Sequence, residues 1–378
     1  IELAAGGSVV SQTRGSNGPA VIRSTSTTTF NAKQIIEFSN TQFRAERARV
    51  AAATGSNIHS VSKAGGGLGS HLVANVGMDK AREKQGQANR IAANHAEDRI
   101  GRRMTDEIDS RLRKAWKRYQ DEYVHPLVRR GALPDHIRFS TTDDALDYEV
   151  TQASRAQLGA PGAPPELPAN CDMVARVHET AINNYTSAIL GGATISETDP
   201  NVGTKADVSL PGFMKDAWKN RMDEKASDEP AEDFEPWTLT FRGDRPVTVA
   251  FVDGNVKLTL HIAYLKSGDD VFDEGWDVTG TFTPEMVDGG VVLRREGDLD
   301  VLPTGFDPEK GRLSSRQVAV RSNLIKVLTE RSDKGRGYPQ KIEVKKIEPT
   351  DDYANVSPLL VKDFNSGAGW LTVAWNRN

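Results

Sequence analysis

The stretch RRMTDEIDSRLRKAWKRYQDEY, residues 102–123, decides the fold because its apolar residues recur every three or four positions. On a helix, that spacing gathers the apolar side chains into one stripe and leaves charged residues on the other faces. We expect the stripe to be a core face or to line an apolar ligand site. It consists of Met104, Ile108, Leu112, Trp116, Tyr119 and Tyr123.

The helical spacing extends upstream, since residues 72–125 contain no proline. Glycine lowers helix propensity, so the sequence predicts either one very long helix or two helices joined near Gly86 or Gly101. His125-Pro126, followed by Gly131, predicts the end of this helical stretch.

Much of the remaining chain has the alternation typical of strands. Residues 1–63 carry β-branched and small residues around a turn at Gly15–Pro19, which predicts antiparallel strands. Ile137–Val150 predicts a hairpin, and Trp237–Arg295 predicts an antiparallel meander. The sequence therefore predicts an α+β fold, with curved antiparallel sheets packed around one long amphipathic helix and two or three shorter helices.

The proline- and glycine-rich residues 158–170 predict a linker or exposed loop. Residues 1–157 precede it with the N-terminal strands, the long helix and the hairpin, and residues 171–378 follow with a helix and the meander. We expect these two parts to pack as one unit. Shorter helices are predicted at His178–Leu190, at Gly212–Met222, and after the capping-box residues Ser314 and Gln317, with an acidic loop at Asp223–Pro236.

Composition limits the classes of function. The net charge of −4 gives no reason to expect a nucleic-acid partner, and the basic residues between Arg102 and Arg118 alternate with acids as on an ordinary exposed helix. No run of eighteen apolar residues is present, so no transmembrane segment is expected. Because the chain starts at Ile1, we expect that sequence precedes it, which is compatible with a removed secretion signal. Cys171 is the only cysteine, which leaves the compartment open.

No catalytic, cofactor or metal site is predicted. His178-Glu179 would begin a zinc peptidase helix, but the position for the second histidine holds Ile182. The glycine-rich Gly65–Ser70 lacks the lysine of a phosphate-binding loop. Acidic residues crowd two loops without the spacing of a calcium site and are typical of solvated turns; they are Asp269, Asp270, Asp273, Glu274, Asp298 and Asp300.

Three strings carry a resemblance to known sequences: GPAVIRS at residues 18–24, RFSTTDDAL at 138–146 and RVHETAINN at 176–184. With the long charged helix, they resemble an uncharacterised family of large secreted or envelope-associated bacterial proteins with no assigned activity. The resemblance implies a secreted or periplasmic location. The order of elements is also similar, at the level of fold, to tubular lipid-binding proteins.

These observations favour a non-enzymatic binding or scaffold protein that holds a lipid or another hydrophobic ligand. The first alternative is a structural or assembly subunit of an extracellular or envelope complex, in which the Ser/Thr-rich strands or Trp370–Trp375 supply edges for pairing with protein partners or with a second copy. The second is a hydrolase with dispersed carboxylates, whose spacing in the sequence would not reveal them.

Overall fold

The computed structural model describes residues 1–18, 20–39, 41–65, 70–129, 131, 133–134, 136–154, 156–196, 237–330, 337–349 and 356–377. The chain divides into two compact units. Unit 1 consists of Ile1–Tyr119 and Arg138–Tyr148, and unit 2 consists of Gln120–Ile137 and Glu149–Asn378.

Unit 1 contains a sheet of four antiparallel strands, in which β2 pairs with β1 along one edge and with β3 and β4 along the other. Hydroxyl side chains bond across the strands, as between Thr28 and Thr54 at 2.8 Å. The strands predicted within residues 1–63 are confirmed. They are β1 Glu2–Asn17, β2 Ala20–Phe38, β3 Phe43–Ala45 and β4 Arg49–Lys63.

One long helix, α1 (Ser70–Tyr119), packs on β2, β3 and β4. It runs without a break through Gly86 and Gly101, so the first of the two sequence predictions is confirmed. At Gly77 the helix comes close to the sheet, since a Cβ there would lie 2.8 Å from Val61 Cγ1. That approach gives one glycine of the helix a packing role.

The helical stretch ends through a change of winding. After α1, residues Gln120–Val124 form a π-helical turn, and α2 (His125–Arg129) follows. Pro126 has no N–H, and its ring would clash with the carbonyl four residues earlier in regular α-helix. A wider π turn accommodates that clash. Gly131, at φ 63°, then closes the stretch as predicted.

The predicted hairpin forms from β5 (His136–Thr141) and β6 (Leu146–Thr151).

Unit 2 is built on an eight-stranded antiparallel sheet in the order β15-β14-β13-β11-β9-β8, with β10 and β12 also pairing with β11. Its buried face packs around large side chains such as Trp276, Phe251 and Phe282. The strands are β8 Thr194–Ser196, β9 Trp237–Phe241, β10 Val247–Val252, β11 Asn255–Ser267, β12 Asp270–Phe272, β13 Trp276–Val287, β14 Gly290–Pro303 and β15 Lys341–Val344.

A second sheet of unit 2 has three strands in the order β16-β17-β7. β7 (Met173–His178) leads into α3 (Glu179–Leu190), and α4 (Ser315–Glu330) begins at the predicted capping box, where the Ser314 Oγ accepts from the Gln317 N–H at 3.2 Å. The other two strands are β16 Leu359–Gly367 and β17 Trp370–Arg377.

The α+β class, the antiparallel sheets and the single long helix are confirmed. The structure contradicts one element of the assembly hypothesis: β17 lies between β16 and β7, so Trp370–Trp375 is hydrogen-bonded on both sides and supplies no edge. The helix predicted at Gly212–Met222 and the loop at Asp223–Pro236 lie outside the described residues. No helix of the described chain is both long enough and apolar enough to cross a bilayer.

Candidate ligand-binding groove

Six aromatic rings of unit 1 meet in one cluster, which we call the aromatic cluster. Phe43 is its centre, with its ring 5.0 Å from those of Phe38 and Trp116. Ring pairs of this kind contribute about 0.5–1.5 kcal/mol each beyond their buried area. The six members are Phe38, Phe43, Trp116, Tyr119, Phe139 and Tyr148.

Three local structures bring these rings together. The antiparallel register of β2 and β3 sets Phe38 directly opposite Phe43. The last turn of α1 adds two rings of the apolar stripe, and the β5–β6 hairpin adds Phe139, whose ring lies 4.7 Å from that of Tyr148. The cluster therefore connects the end of the long helix and the hairpin that follows it to β2 and β3, which lie far upstream in the sequence.

The structure places the members of the predicted stripe in different surroundings. Leu112 is buried, whereas Met104, Ile108, Trp116 and Tyr119 of unit 1 are half-buried. Burial raises the pKa of Tyr119, against the opposing effect of a hydrogen bond with Tyr148. Tyr123 belongs to unit 2, packs against the core of that unit and donates to Gln152 Oε1 at 3.2 Å.

Beside the aromatic cluster, unit 1 has a half-open groove of about 520 Å³. Its apolar lining is partly exposed, since Ile35 is 36% and Leu146 is 50% exposed. None of the stripe residues lines the groove. Trp116 and Tyr119 of the stripe contact Phe43, which packs against the lining residues Phe38 and Phe139. The groove is lined by Ile1, Ile35, Ile36, Glu37, Phe38, Ser39, Gln42, Arg44, Phe139, Ser140, Thr141 and Leu146.

An ion pair marks the polar rim of the groove. The Arg44 Nε–H donates to Glu37 Oε2 at 2.6 Å across the β2–β3 pair. This hydrogen bond, together with the positive charge of Arg44, lowers the pKa of Glu37, and the carboxylate in turn raises the pKa of Arg44. The rim therefore keeps both charges at neutral pH.

The sequence did not indicate this groove. The signal that could have found it is the pair of phenylalanines flanking the polar residues 39–42, a pattern typical of a hairpin. The turn is closed by the Ser39 N–H, which donates to the Gln42 carbonyl at 2.9 Å. Phe139 and Leu146 come from a distant segment, so no spacing in the sequence relates them to β2.

His178 and Glu179 have structural roles. His178 caps α3 by accepting from the Thr180 N–H at 3.2 Å, and the Glu179 carboxylate accepts from the Phe251 N–H at 3.0 Å. Among the described residues, no group of three or more His, Cys, Asp or Glu side chains is placed to hold a metal ion.

A Thr–His–Asp series in unit 2 has the distances of a nucleophilic triad. His261 Nε2 lies 3.0 Å from the Thr248 Oγ1, and its Nδ1 lies 2.7 Å from Asp277 Oδ1. Acyl transfer also needs N–H donors beside the nucleophile to stabilise the oxyanion. The N–H that follows Thr248, on Val249, already donates to Asn183 Oδ1 at 2.7 Å. The series joins three neighbouring strands, and the Val249 N–H beside Thr248 is engaged by Asn183.

No protein-family model matches the chain, and no curated protein matches it. The crystal structure of lipopolysaccharide binding protein aligns over 100% of this chain and 82% of that chain, at 10% sequence identity and a TM-score of 0.30. At that TM-score the similarity shows neither a shared fold nor a shared function.

Proposed function

We propose that this chain is a non-enzymatic binding or scaffold protein of the cell envelope or the extracellular space, and that its unit 1 holds a lipid or another hydrophobic ligand. The groove carries this proposal. Ligand pockets commonly enclose about 300–1,000 Å³ and combine an apolar lining with polar groups that orient the ligand. The groove, at about 520 Å³, lies in this range, and six apolar and six polar residues line it.

The exposed side chains of the groove support a binding role. Ile35 and Leu146 lie 36% and 50% exposed beside ordered aromatic rings. An apolar ligand covering them would remove this surface from water, which is favourable by about 25 cal/mol for each Å² covered. The aromatic cluster beside them supplies a wall that is already packed before a ligand arrives.

The rim favours an amphipathic ligand with an anionic head. The Arg44 side chain is 56% exposed even though its Nε–H is bonded to Glu37. A guanidinium carries five N–H donors and pairs well with carboxylates and phosphates. An acyl chain in the groove with its carboxylate or phosphate near Arg44 would satisfy both the apolar lining and the rim.

The first test is mass spectrometry of organic extracts from natively purified protein, together with titration of the purified chain with a fluorescent fatty acid. We expect a bound lipid in the extracts and saturable binding of the probe. Extracts repeatedly free of lipid, combined with no saturable binding, would refute the proposal.

A matched pair of variants locates the site. Leu146→Asp puts a charge into the groove, while Leu167→Asp makes the same change at a leucine that is 57% exposed in unit 2. Both positions are exposed, so both variants should fold. We expect Leu146→Asp to weaken probe binding by at least about tenfold, which corresponds to ~1.4 kcal/mol, and Leu167→Asp to leave it unchanged. Equal binding by both variants would place the ligand outside the groove.

A further inference from the structure

The outer edge of β1 is open along its length. In the described part of the chain, β2 is the only strand that pairs with β1. Ile1 and Ile36 exchange both backbone hydrogen bonds, at 2.9 and 2.8 Å, so the odd-numbered residues of β1 bond to β2. Since an antiparallel ladder alternates, the even-numbered residues from Glu2 to Ser16 turn their N–H and C=O groups outward.

The opposite edge of the same sheet is covered by α1. The Ala52 N–H of β4 donates to Glu97 Oε1 at 2.8 Å, and the Ser56 carbonyl accepts from Gln85 Nε2. Open edges are usually protected from pairing with other chains by charged residues or proline. β1 has neither between Leu3 and Thr13. One edge of the sheet is thus covered, and the other is left as a template for a strand.

We propose that β1 pairs antiparallel with β1 of a second copy of this chain, about a two-fold axis at Ser8. In this register, residue i of one copy lies opposite residue 16 − i of the other copy. Even-numbered residues, whose N–H and C=O groups point outward, therefore lie opposite even-numbered residues. Glu2 of each copy then lies opposite Arg14 of the other. Moving the register by two residues either way would set Glu2 opposite Gln12 or Ser16 and lose the charge pairing.

Burial of two exposed valines also supports pairing at this edge. Val10 and Val9 are large apolar residues exposed at 66% and 51%. About an axis at Ser8, Val10 lies opposite Gly6 on one face of the sheet, and Val9 lies opposite Gly7 on the other. The Phe30 ring lies over Gly7 and Asn31 Oδ1 lies over Gly6, 3.2 and 3.0 Å from where a Cβ would be. The partner's Val9 would therefore pack on the Phe30 ring, and pairing covers both valines. Such strand addition draws its affinity from main-chain hydrogen bonds.

A disulfide test identifies the axis, because only a residue on the axis faces its own counterpart. Opposed residues of a bonded antiparallel pair lie about 5.5 Å apart between Cα atoms, within disulfide range. We expect Ser8→Cys, made together with Cys171→Ser, to form a covalent dimer on mild oxidation. Val10→Cys in the same background serves as the control, because its counterpart lies four residues along the strand, about 14 Å away. Equal cross-linking of the two variants, or none in either, would overturn the proposal.

Sedimentation equilibrium of the full chain provides an independent measurement. We expect a monomer–dimer equilibrium that Arg14→Glu weakens at least several-fold, because it opposes two carboxylates at each end of the paired strands. The double exchange Glu2→Arg with Arg14→Glu should restore part of the affinity, because Lys33, the present ion-pair partner of Glu2 at 2.6 Å, then lies beside the new arginine. A strict monomer at the highest concentration, or a double exchange that is as weak as Arg14→Glu alone, contradicts the register. Ser8, Val10 and Arg14 do not line the groove, so the Ser8→Cys, Val10→Cys and Arg14→Glu variants test the dimer separately from ligand binding.

Discussion

Two glycines of α1 should respond in opposite ways to the same substitution. A Cβ added at Gly86 would meet nothing within 4 Å, whereas a Cβ at Gly77 would lie 2.8 Å from Val61 Cγ1. In a helix interior, alanine is more favourable than glycine by about 1 kcal/mol. We therefore expect Gly86→Ala to stabilise unit 1 by about 0.5–1 kcal/mol.

At Gly77 the same helical gain is opposed by overpacking. Val61 is 7% exposed, so its methyl group cannot move into solvent. Forcing extra volume into a packed core costs about 1–3 kcal/mol, which exceeds or cancels the helical gain. Gly77→Ala should therefore be neutral or destabilising by up to ~2 kcal/mol, and should differ from Gly86→Ala by about 1–3 kcal/mol.

Native-state hydrogen exchange of peptides from α1 and β4 measures this difference, because it reports the opening free energy of unit 1 separately from unit 2. Adding Val61→Ala to Gly77→Ala should give a favourable coupling energy in a double-mutant cycle, since the clashing methyl group is removed. If Gly77→Ala stabilises α1 as much as Gly86→Ala does, the close contact of helix and sheet is refuted.

Three further predictions concern unit 2. The buried Tyr338 hydroxyl donates to the Leu258 carbonyl and accepts from the Gly280 N–H, so Tyr338→Phe should cost roughly 2–4 kcal/mol by leaving both groups unpaired. Burial raises the pKa of Tyr338. The stabilisation from its hydroxyl is therefore complete below the unfolded pKa of about 10 and is lost as pH rises. Between pH 7 and pH 11, the free energy of unfolding measured in urea should fall less for Tyr338→Phe than for the wild type. Ser314→Ala should destabilise α4 by about 1 kcal/mol through loss of its cap, while Ser322→Ala within α4 serves as the control in the same unfolding assay. Hydrogen bonds from the Arg377 N–H and guanidinium lower the pKa of Asp172. The stabilisation from this interaction is therefore present above the unfolded pKa of about 4 and is lost as pH falls. Hydrogen exchange at the end of β17 should accelerate on acidification in the wild type and be insensitive to it in Asp172→Asn.

The fold class followed from local patterns because each pattern has a direct physical cause. Helical spacing from Met104 to Tyr119 gave α1, and alternation gave most of the strands. The strands that the sequence did not predict include β8 and β12, which are three residues long, and alternation cannot be recognised over three residues. β16 was also missed, since its second half, Asp363–Gly367, is mostly polar.

The groove could not be predicted because it depends on tertiary contacts. Ile35 and Phe38 end a strand of the first sheet, whereas Phe139 and Leu146 belong to a hairpin that follows the long helix. Their proximity arises from the packing of aromatic rings and leaves no periodic signal. The stripe was visible in the sequence, but its spacing alone does not distinguish a core face from a ligand wall.

The π turn at Gln120–Val124 has a consequence for how the helical spacing is interpreted. A π turn contains more residues than an α turn, so the 3.6-residue repeat does not hold within Gln120–Val124. Counting in steps of three and four residues from Met104 therefore does not predict the surroundings of Tyr123, which packs against the core around Leu127. The regular spacing from Met104 to Tyr123 thus includes a change of helix type, which a helical wheel drawn at 100° per residue does not represent.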